Sequence, residues 1–456
     1  MAMTEEEKAR YFELLRFRSV GVDKTKLRDC VECATWLKTA FEDIGFSASL
    51  RLPDGVSGPP CLYAERIVGP DAVTVLFYGH YDVQPPDPLG EWKSDPFEPV
   101  ERDGRVYCRG AQDDKGQLFA FFCGMKRFLA ASPDAEINIK VLLEGQEESG
   151  GDIIWRVAEG MAKKLRADVL LVSDTNAVAD LRPTIIAGLR GVCHFTVSLK
   201  GAKCDLHSGI YGGIAPNAAD AMARLLSSLH NDDGSIAVDG FSNGIVPPSA
   251  REIELAEASS SGEAAIEADI GCRPCGGERG RSVVERNSFM PTIEVNGIHS
   301  GYGGPGSKTV IPCEALAKIS MRLVPGQSPR GAFEAVCRHL ERNVPDGMKL
   351  EIYEATGFSE GFRLPLDTPL FRLATEVLES MDSRGPAFLW EGASIPCVSM
   401  LSRVSGASPL LVGWGQPEDA IHSPNESFSI RQFDLASMWA ERILGALAPE
   451  KKGINR

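Results

Sequence analysis

Two histidines and an excess of carboxylates fall in five short polar clusters of this 456-residue chain. They are Gly79-His80-Tyr81-Asp82, Ala111-Gln112-Asp113-Asp114-Lys115-Gly116, Glu144-Gly145-Gln146-Glu147-Glu148, Ser173-Asp174 and Ala420-Ile421-His422-Ser423-Pro424. Each alone has an ordinary structural reading. Asp113 or Asp114 suits a helix N-cap, Glu147 and Glu148 suit a solvated loop, and His80 suits a satisfied buried imidazole. Gathered in one place, so many acids would repel one another and lose hydration. A pair of divalent cations supplies the missing charge. Two dications offset Asp113, Glu148, Asp174 and one bridging hydroxide, with His80 and His422 bound as neutral imidazoles. Mixed nitrogen and oxygen ligation without cysteine suits Zn²⁺, with Mn²⁺ or Co²⁺ as alternatives.

Two such cations about 3.5–4 Å apart, bridged by one carboxylate, form a centre that activates water near neutral pH. The neighbours fit that chemistry. Asp82, two residues after His80, is placed to orient the imidazole and raise its basicity. Glu147 adjoins Glu148 without being needed as a ligand, so it is placed to move a proton from water to a leaving amine.

The elements that must position these residues are legible around them. The apolar run Val73–Tyr78 reads as a buried central strand, as do Ile137–Leu143 and Asp168–Val172. Each runs directly into one of the clusters, and ligands of open α/β sheets bind beyond the carboxyl ends of strands. Gln117–Leu129 reads as a helix opened by the Asp113-Asp114 cluster, and the fifth cluster follows a strand at Leu410–Gly413. Strands alternating with helices predict an α/β fold with a mainly parallel central sheet covered by helices. From about Leu189 the pattern changes. Half-exposed strands at Val192–Leu199, Thr292–Val295, Ala317–Val324 and Lys349–Ala355 mix with helices at Asn217–His230 and Arg330–Arg342. This predicts an inserted α+β domain over 188–368, with 1–187 and 369–456 forming the first domain. A helix at Phe371–Met381 marks the return.

Length alone favours two domains. The formal net charge of −15 disfavours nucleic acid and anionic membranes as partners. The N-terminal residues lack a basic stretch and apolar run, no stretch reaches about 18 apolar residues, and twelve cysteines are too sparse for a disulfide scaffold. These features lead us to expect a cytoplasmic protein. Cys30 and Cys33 fall in a helical pattern, Lys26–Phe41, as core residues. Cys272 and Cys275 fall in a Gly/Arg-rich loop.

The segments Gly79-His80-Tyr81-Asp82-Val83, Gly110–Gly116, Glu147-Glu148-Ser149-Gly150, Ser173-Asp174, Asp205-Leu206-His207-Ser208-Gly209 and Ala420-Ile421-His422-Ser423 closely resemble the carnosinase and cytosolic nonspecific dipeptidase branch of the co-catalytic zinc peptidases. That family also holds aminoacylases, glutamate carboxypeptidases and succinyl-diaminopimelate desuccinylases. The resemblance runs in order through nearly the whole chain. It implies hydrolysis of dipeptides or similar small amides, with His80, Asp113, Glu148, Asp174 and His422 as metal ligands and Asp113 as the bridge. It implies Glu147 as general base, Asp82 as the residue orienting His80, and a cis peptide between Asp113 and Asp114. The inserted domain would be a lid and homodimerisation domain. Its His207 would reach the partner subunit's site and stabilise the oxyanion. Arg322 would grip the substrate carboxylate, with Thr309 and Ser394 as further substrate contacts.

Two features depart from the pattern. The polar stretch from Glu257 to Arg286 matches no motif, and Gln84 stands where many relatives have another residue. Both are expected to leave the site chemistry alone. Other readings are weaker. The loop Gly301–Thr309 imitates a phosphate-binding loop, but Ser307 separates its last glycine from Lys308. An N-acyl amino acid deacylase or a carboxypeptidase is the alternative within hydrolases. A non-catalytic metal-dependent binding protein would have no need of both Glu147 and Asp82.

Overall fold

The Val73–Tyr78 run forms the strand Val73–His80, buried from Val75 onward, in a computed structural model that describes residues 2–448. It lies parallel to Ile137–Glu144 on one side and to Val169–Val172 on the other, and Val169–Val172 lies parallel to Ser408–Gly413. Both flanks of this parallel centre are antiparallel. Cys61–Arg66 pairs with Ile137–Glu144, Ser47–Arg51 pairs with Cys61–Arg66, and Thr184–Leu189 pairs with Ser408–Gly413. The expected parallel character therefore holds for the strands that end in the polar clusters.

Helix Lys115–Ala131 is buried on nearly all sides over its first three turns, which fits its apolar composition. Phe121 stacks on Phe77 of the central strand at 3.7 Å. A close crossing with helix Ile430–Leu447 forms the other contact. At Gly124 a Cβ would lie 2.1 Å from the Ser437 carbonyl oxygen, so only glycine fits there. Helix Leu27–Asp43 buries Cys30 and Cys33. Burial pushes their thiols up to about 12 and about 11, the mark of inert core cysteines.

The chain divides into two compact units, Met1–Ala187 with Leu364–Leu389 and Met400–Arg456, and Gly188–Arg363 with Trp390–Ser399. The boundaries differ from those read in the sequence. Residues 364–368 fall in the first unit, and 390–399 fall in the second. Backbone hydrogen bonding explains the second difference, because the Arg190 N–H donates to the Ala393 carbonyl at 3.1 Å.

The second unit is built on an antiparallel sheet in the order Thr292–Ser300, Glu314–Leu323, Gly191–Lys200, Lys349–Ser359. Helices Ala218–Ser227 and Pro329–Arg342 place Met222, Leu225, Val336 and Leu340 in its core with Val197, Ile319 and Met321. Asn217 and Ser328 cap these helices through their side-chain oxygens. The polar stretch from Glu257 to Arg286 is more ordered than its composition suggested. Helix Ala250–Ser259, opened by a Ser249/Glu252 capping box, runs into it, and helix Glu263–Ile270 follows. The latter buries no side chain, so no apolar stripe announces it. Among the described residues, no helix is long and apolar enough to cross a membrane.

Candidate metal centre

Strand register brings the clusters at His80, Glu147-Glu148 and Asp174 to one edge. His80 pairs with Glu144, and Tyr78 pairs with Val172. His80 therefore stands level with the turn into Glu147-Glu148 and with Asp174, two residues beyond Val172. The Asp113-Asp114 cluster arrives from the loop before helix Lys115–Ala131. Gly116 is needed there, since a Cβ would lie 1.9 Å from the Ala111 carbonyl oxygen. The Asp113–Asp114 peptide is cis, as the resemblance implied. The fifth cluster brings His422, with a left-handed φ of 61°.

These residues converge. The two oxygens of Asp113 face different imidazoles, Oδ1 at 3.0 Å from His80 Nε2 and Oδ2 at 2.9 Å from His422 Nε2. Asp174 Oδ2 is 3.7 Å from His80 Nε2, and Glu148 Oε2 is 3.3 Å from His422 Nε2. Two groups of potential ligand atoms result, each within 4.8 Å: His80, Asp114 and Asp174, and Asp113, Glu148 and His422.

The electrostatics of these groups are unbalanced. Burial pushes Asp114 and Asp174 well above the ordinary carboxylate range, raises Glu147, and raises Glu148 to about 8. For Asp113 burial acts in the same direction but is outweighed by His422 and His80, which hold its carboxyl low. Burial would lower His80, yet Asp174, Asp113 and Asp82 together raise it. Asp114 takes the N-cap position without capping: Oδ2 accepts the His80 N–H at 3.1 Å, and the buried Oδ1 has no hydrogen-bond partner. An orphaned buried carboxylate oxygen, in a centre of two imidazoles and four further acids, fits divalent cations. The donors are nitrogen and oxygen only, as harder or borderline dications prefer.

Asp82 is fully buried and does more than was expected of it. His80 Nδ1 lies 3.1 Å from the Asp82 backbone oxygen and 3.4 Å from its carboxylate. The carboxylate accepts the backbone N–H groups of Glu147 at 3.2 Å and Glu148 at 3.3 Å.

In the second unit, His207 is exposed in the short strand Leu206–His207. Its Nδ1 accepts the Gly209 N–H at 3.0 Å, and Thr309 is its near neighbour through the hydrogen bond from Ser208 N to the Thr309 oxygen. Arg322 and Ser394 are brought together, the guanidinium Nη1 donating to the serine Oγ at 2.8 Å.

The model of Peptidase family M20/M25/M40 matches residues 76–445. The chain belongs to this family. The human Beta-Ala-His dipeptidase is 31% identical over 400 residues, covering 83% of this chain and 76% of that protein. The Cys-Gly metallodipeptidase dug1 of Schizosaccharomyces pombe is 28% identical, covering 91% and 90%. Among solved structures, an M20 family metallo-carboxypeptidase from Sulfolobus solfataricus matches with a TM-score of 0.85 and 28% identity over 97% of this chain and 99% of that one. The M20 chain is thus a metallopeptidase, a hydrolase of peptide bonds.

Three residues of this M20 peptidase escaped the sequence reading. From sequence, Asp114 reads only as a cap. Gln84 was expected to leave the site alone, but its Nε2 donates to Glu148 Oε2 at 2.8 Å. Its place directly after Val83 brings it to the same strand end, which a one-dimensional reading does not reveal. The third is Glu426. Its buried Oε2 accepts Arg109 Nη1 at 2.7 Å and Gly110 N at 2.9 Å, while Oε1 accepts Gln112 N at 3.0 Å and Asp113 N at 3.1 Å. One carboxylate therefore holds the whole approach to Asp113. A glutamate four residues after His422 is the signal that could have found it.

Proposed function

We propose that this M20 peptidase hydrolyses dipeptides, using two divalent cations held by His80, Asp113, Glu148, Asp174 and His422. Zn²⁺ is the first choice, with Mn²⁺ or Co²⁺ as alternatives. The observation that carries the reading is Asp113 facing both imidazoles with separate oxygens, the geometry of a bridging carboxylate. When bound, the cations supply Lewis-acid polarisation and lower the pKa of water to near neutrality. Asp82 fixes the backbone at Glu147 and Glu148 and faces His80 from behind. Glu147 accepts the proton of the attacking water on its carboxylate and delivers it to the departing amine nitrogen. Arg322 recognises the substrate carboxylate, since a planar guanidinium suits that fork. Thr309 and Ser394 contribute hydroxyls to recognition.

We further infer that the second unit acts as lid and homodimerisation domain, and that His207 stabilises the oxyanion in the partner subunit's site. Ile210 and Ile214 are exposed beside His207, and Val295 and Ile298 are exposed on the edge strand Thr292–Ser300. Apolar side chains on an open sheet edge are a surface that proteins normally cover. We place the enzyme in the cytoplasm, where core thiols such as Cys30 and Cys33 stay reduced.

The test is a panel on metal-loaded protein: α-dipeptides including Cys-Gly, β-alanyl and γ-glutamyl dipeptides, N-acyl amino acids, and longer peptides. Dipeptides should be cleaved fastest, and a chelator should abolish cleavage. Preference for longer peptides would favour the carboxypeptidase reading suggested by the Sulfolobus likeness. No turnover of any panel member would contradict the proposal.

A further inference from the structure

A second guanidinium lies beside Arg322. In the antiparallel pairing of Gly191–Lys200 with Glu314–Leu323, Val192 stands opposite Arg322. Opposed residues share a face of the sheet, and so do residues two apart along a strand. Arg190 extends that face by one step, as the diagonal neighbour of Arg322. Both arginines are tied to the segment Gly392–Ser394, through different residues of it. Arg190 Nε donates to the Gly392 oxygen at 2.9 Å and its N–H to Ala393, while Arg322 Nη1 donates to Ser394 Oγ. Arg190 Nη1 donates to the Met290 oxygen at 3.3 Å.

Arg190 is 8% exposed, and its Nη2 has no protein hydrogen-bond partner among the described residues. That nitrogen adjoins Gly392, where a Cβ would lie 2.7 Å from it and 2.4 Å from Asn287 Oδ1, so the glycine keeps the space open. Neither arginine forms an ion pair with a carboxylate among the described residues. Burial and then the charge of Arg322 push Arg190 down to about 10, and burial lowers Arg322 too. Glu294 offsets part of the repulsion at Arg190. Two like charges sunk together without an ion-paired acid are costly unless an anion joins them.

We propose that Arg190 is a specificity-determining residue that, with Arg322, forms a two-guanidinium site for the carboxylate of the substrate. The proposal rests on the dipeptidase reading, and it deepens it: the enzyme selects against peptides whose terminal carboxylate is blocked. Arg190 supplies charge and the two N–H donors of its unpartnered Nη2; Arg322 supplies the rest of its fork.

The experiment compares a dipeptide with its C-terminal amide in wild type, Arg190→Gln and Arg190→Lys. Kinetics are measured on zinc-loaded enzyme, and binding by calorimetry on the zinc-loaded Glu147→Gln background, which needs no turnover. Arg190→Gln should raise KM and the dissociation constant for the free dipeptide at least tenfold. It should change kcat less than threefold and leave amide binding unchanged. Arg190→Lys should recover most of the affinity. Equal weakening for dipeptide and amide would show that Arg190 only props the Gly392–Ser394 segment and would overturn the proposal, as would unchanged affinity. Absence of hydrolysis by wild type would refute the dipeptidase reading, and the calorimetric comparison would still decide the carboxylate site.

Discussion

Asp82 Oδ1 accepts the backbone N–H of Glu147 at 3.2 Å, so the residue behind His80 also holds the proposed base. Its Oδ2 holds Glu148 N in the same way. Asp82→Asn keeps the shape but sets an amide NH₂ against one of these N–H donors. Activity or metal affinity should fall roughly 10- to 100-fold, the range seen when partners of metal ligands are changed. Kinetics with metal titration check this. A variant with wild-type values would remove Asp82 from the account. Gly21→Ala should be at least as disruptive, because its Cβ would meet Asp82 Oδ2 at 2.5 Å and the Gly145 backbone oxygen at 2.6 Å.

Glu426 gathers Arg109, Gly110, Gln112 and Asp113. Glu426→Gln leaves one amide NH₂ facing N–H donors in a dry site. Breaking a buried pair of this kind costs on the order of 3–5 kcal/mol. Denaturant melts should show a loss of that order, and metal affinity should fall because Asp113 loses its support. Loss of stability with unchanged metal affinity would confine Glu426 to folding. Gln84→Ala should spare stability and weaken metal binding modestly, since only the orientation of Glu148 is released.

Burial raises the Glu144 carboxyl to about 8, while Tyr78 donates to its Oε1 at 2.7 Å. The folded state therefore keeps a proton that the unfolded chain releases near pH ~4.3. Stability from this group is fully present below that pH and is lost as pH rises through about 8. Glu144→Gln stays neutral throughout. Urea melts of the metal-free proteins from pH 4.5 to 8.5 should show the variant gaining on wild type as pH rises. Parallel curves would contradict the assignment.

His207 is solvent-exposed and, by our proposal, acts in the partner's site. His207→Ala and Glu147→Gln should each be nearly inactive alone. Mixing them under conditions of subunit exchange should restore part of the activity, because hybrid dimers contain one intact site. No recovery, with exchange demonstrated, would refute action in trans.

The parallel strands and the clusters at their ends were legible because buried strands are written as apolar runs and their polar termini stand out. His80, Glu148 and Asp174 could be placed at one edge by that logic alone. The antiparallel flanks were less visible, since Ser47–Arg51 is short and half-exposed. The helix Glu263–Ile270 was not legible because it buries nothing. Glu426 and Gln84 were missed for a different reason: their importance lies in contacts across the chain, which spacing does not encode. The segment 390–399 reads as part of the first domain, because hydrophobic pattern does not reveal which unit captures it.

Everything rests on Asp113 serving two cations at once. The direct measurement is anomalous scattering from crystals grown with zinc, together with metal analysis of the protein in solution. Two ions per chain are expected, one contacting each oxygen of Asp113, with both lost on Asp113→Ala. A single ion, an empty centre after zinc or manganese is supplied, or two ions neither of which touches Asp113, would contradict it.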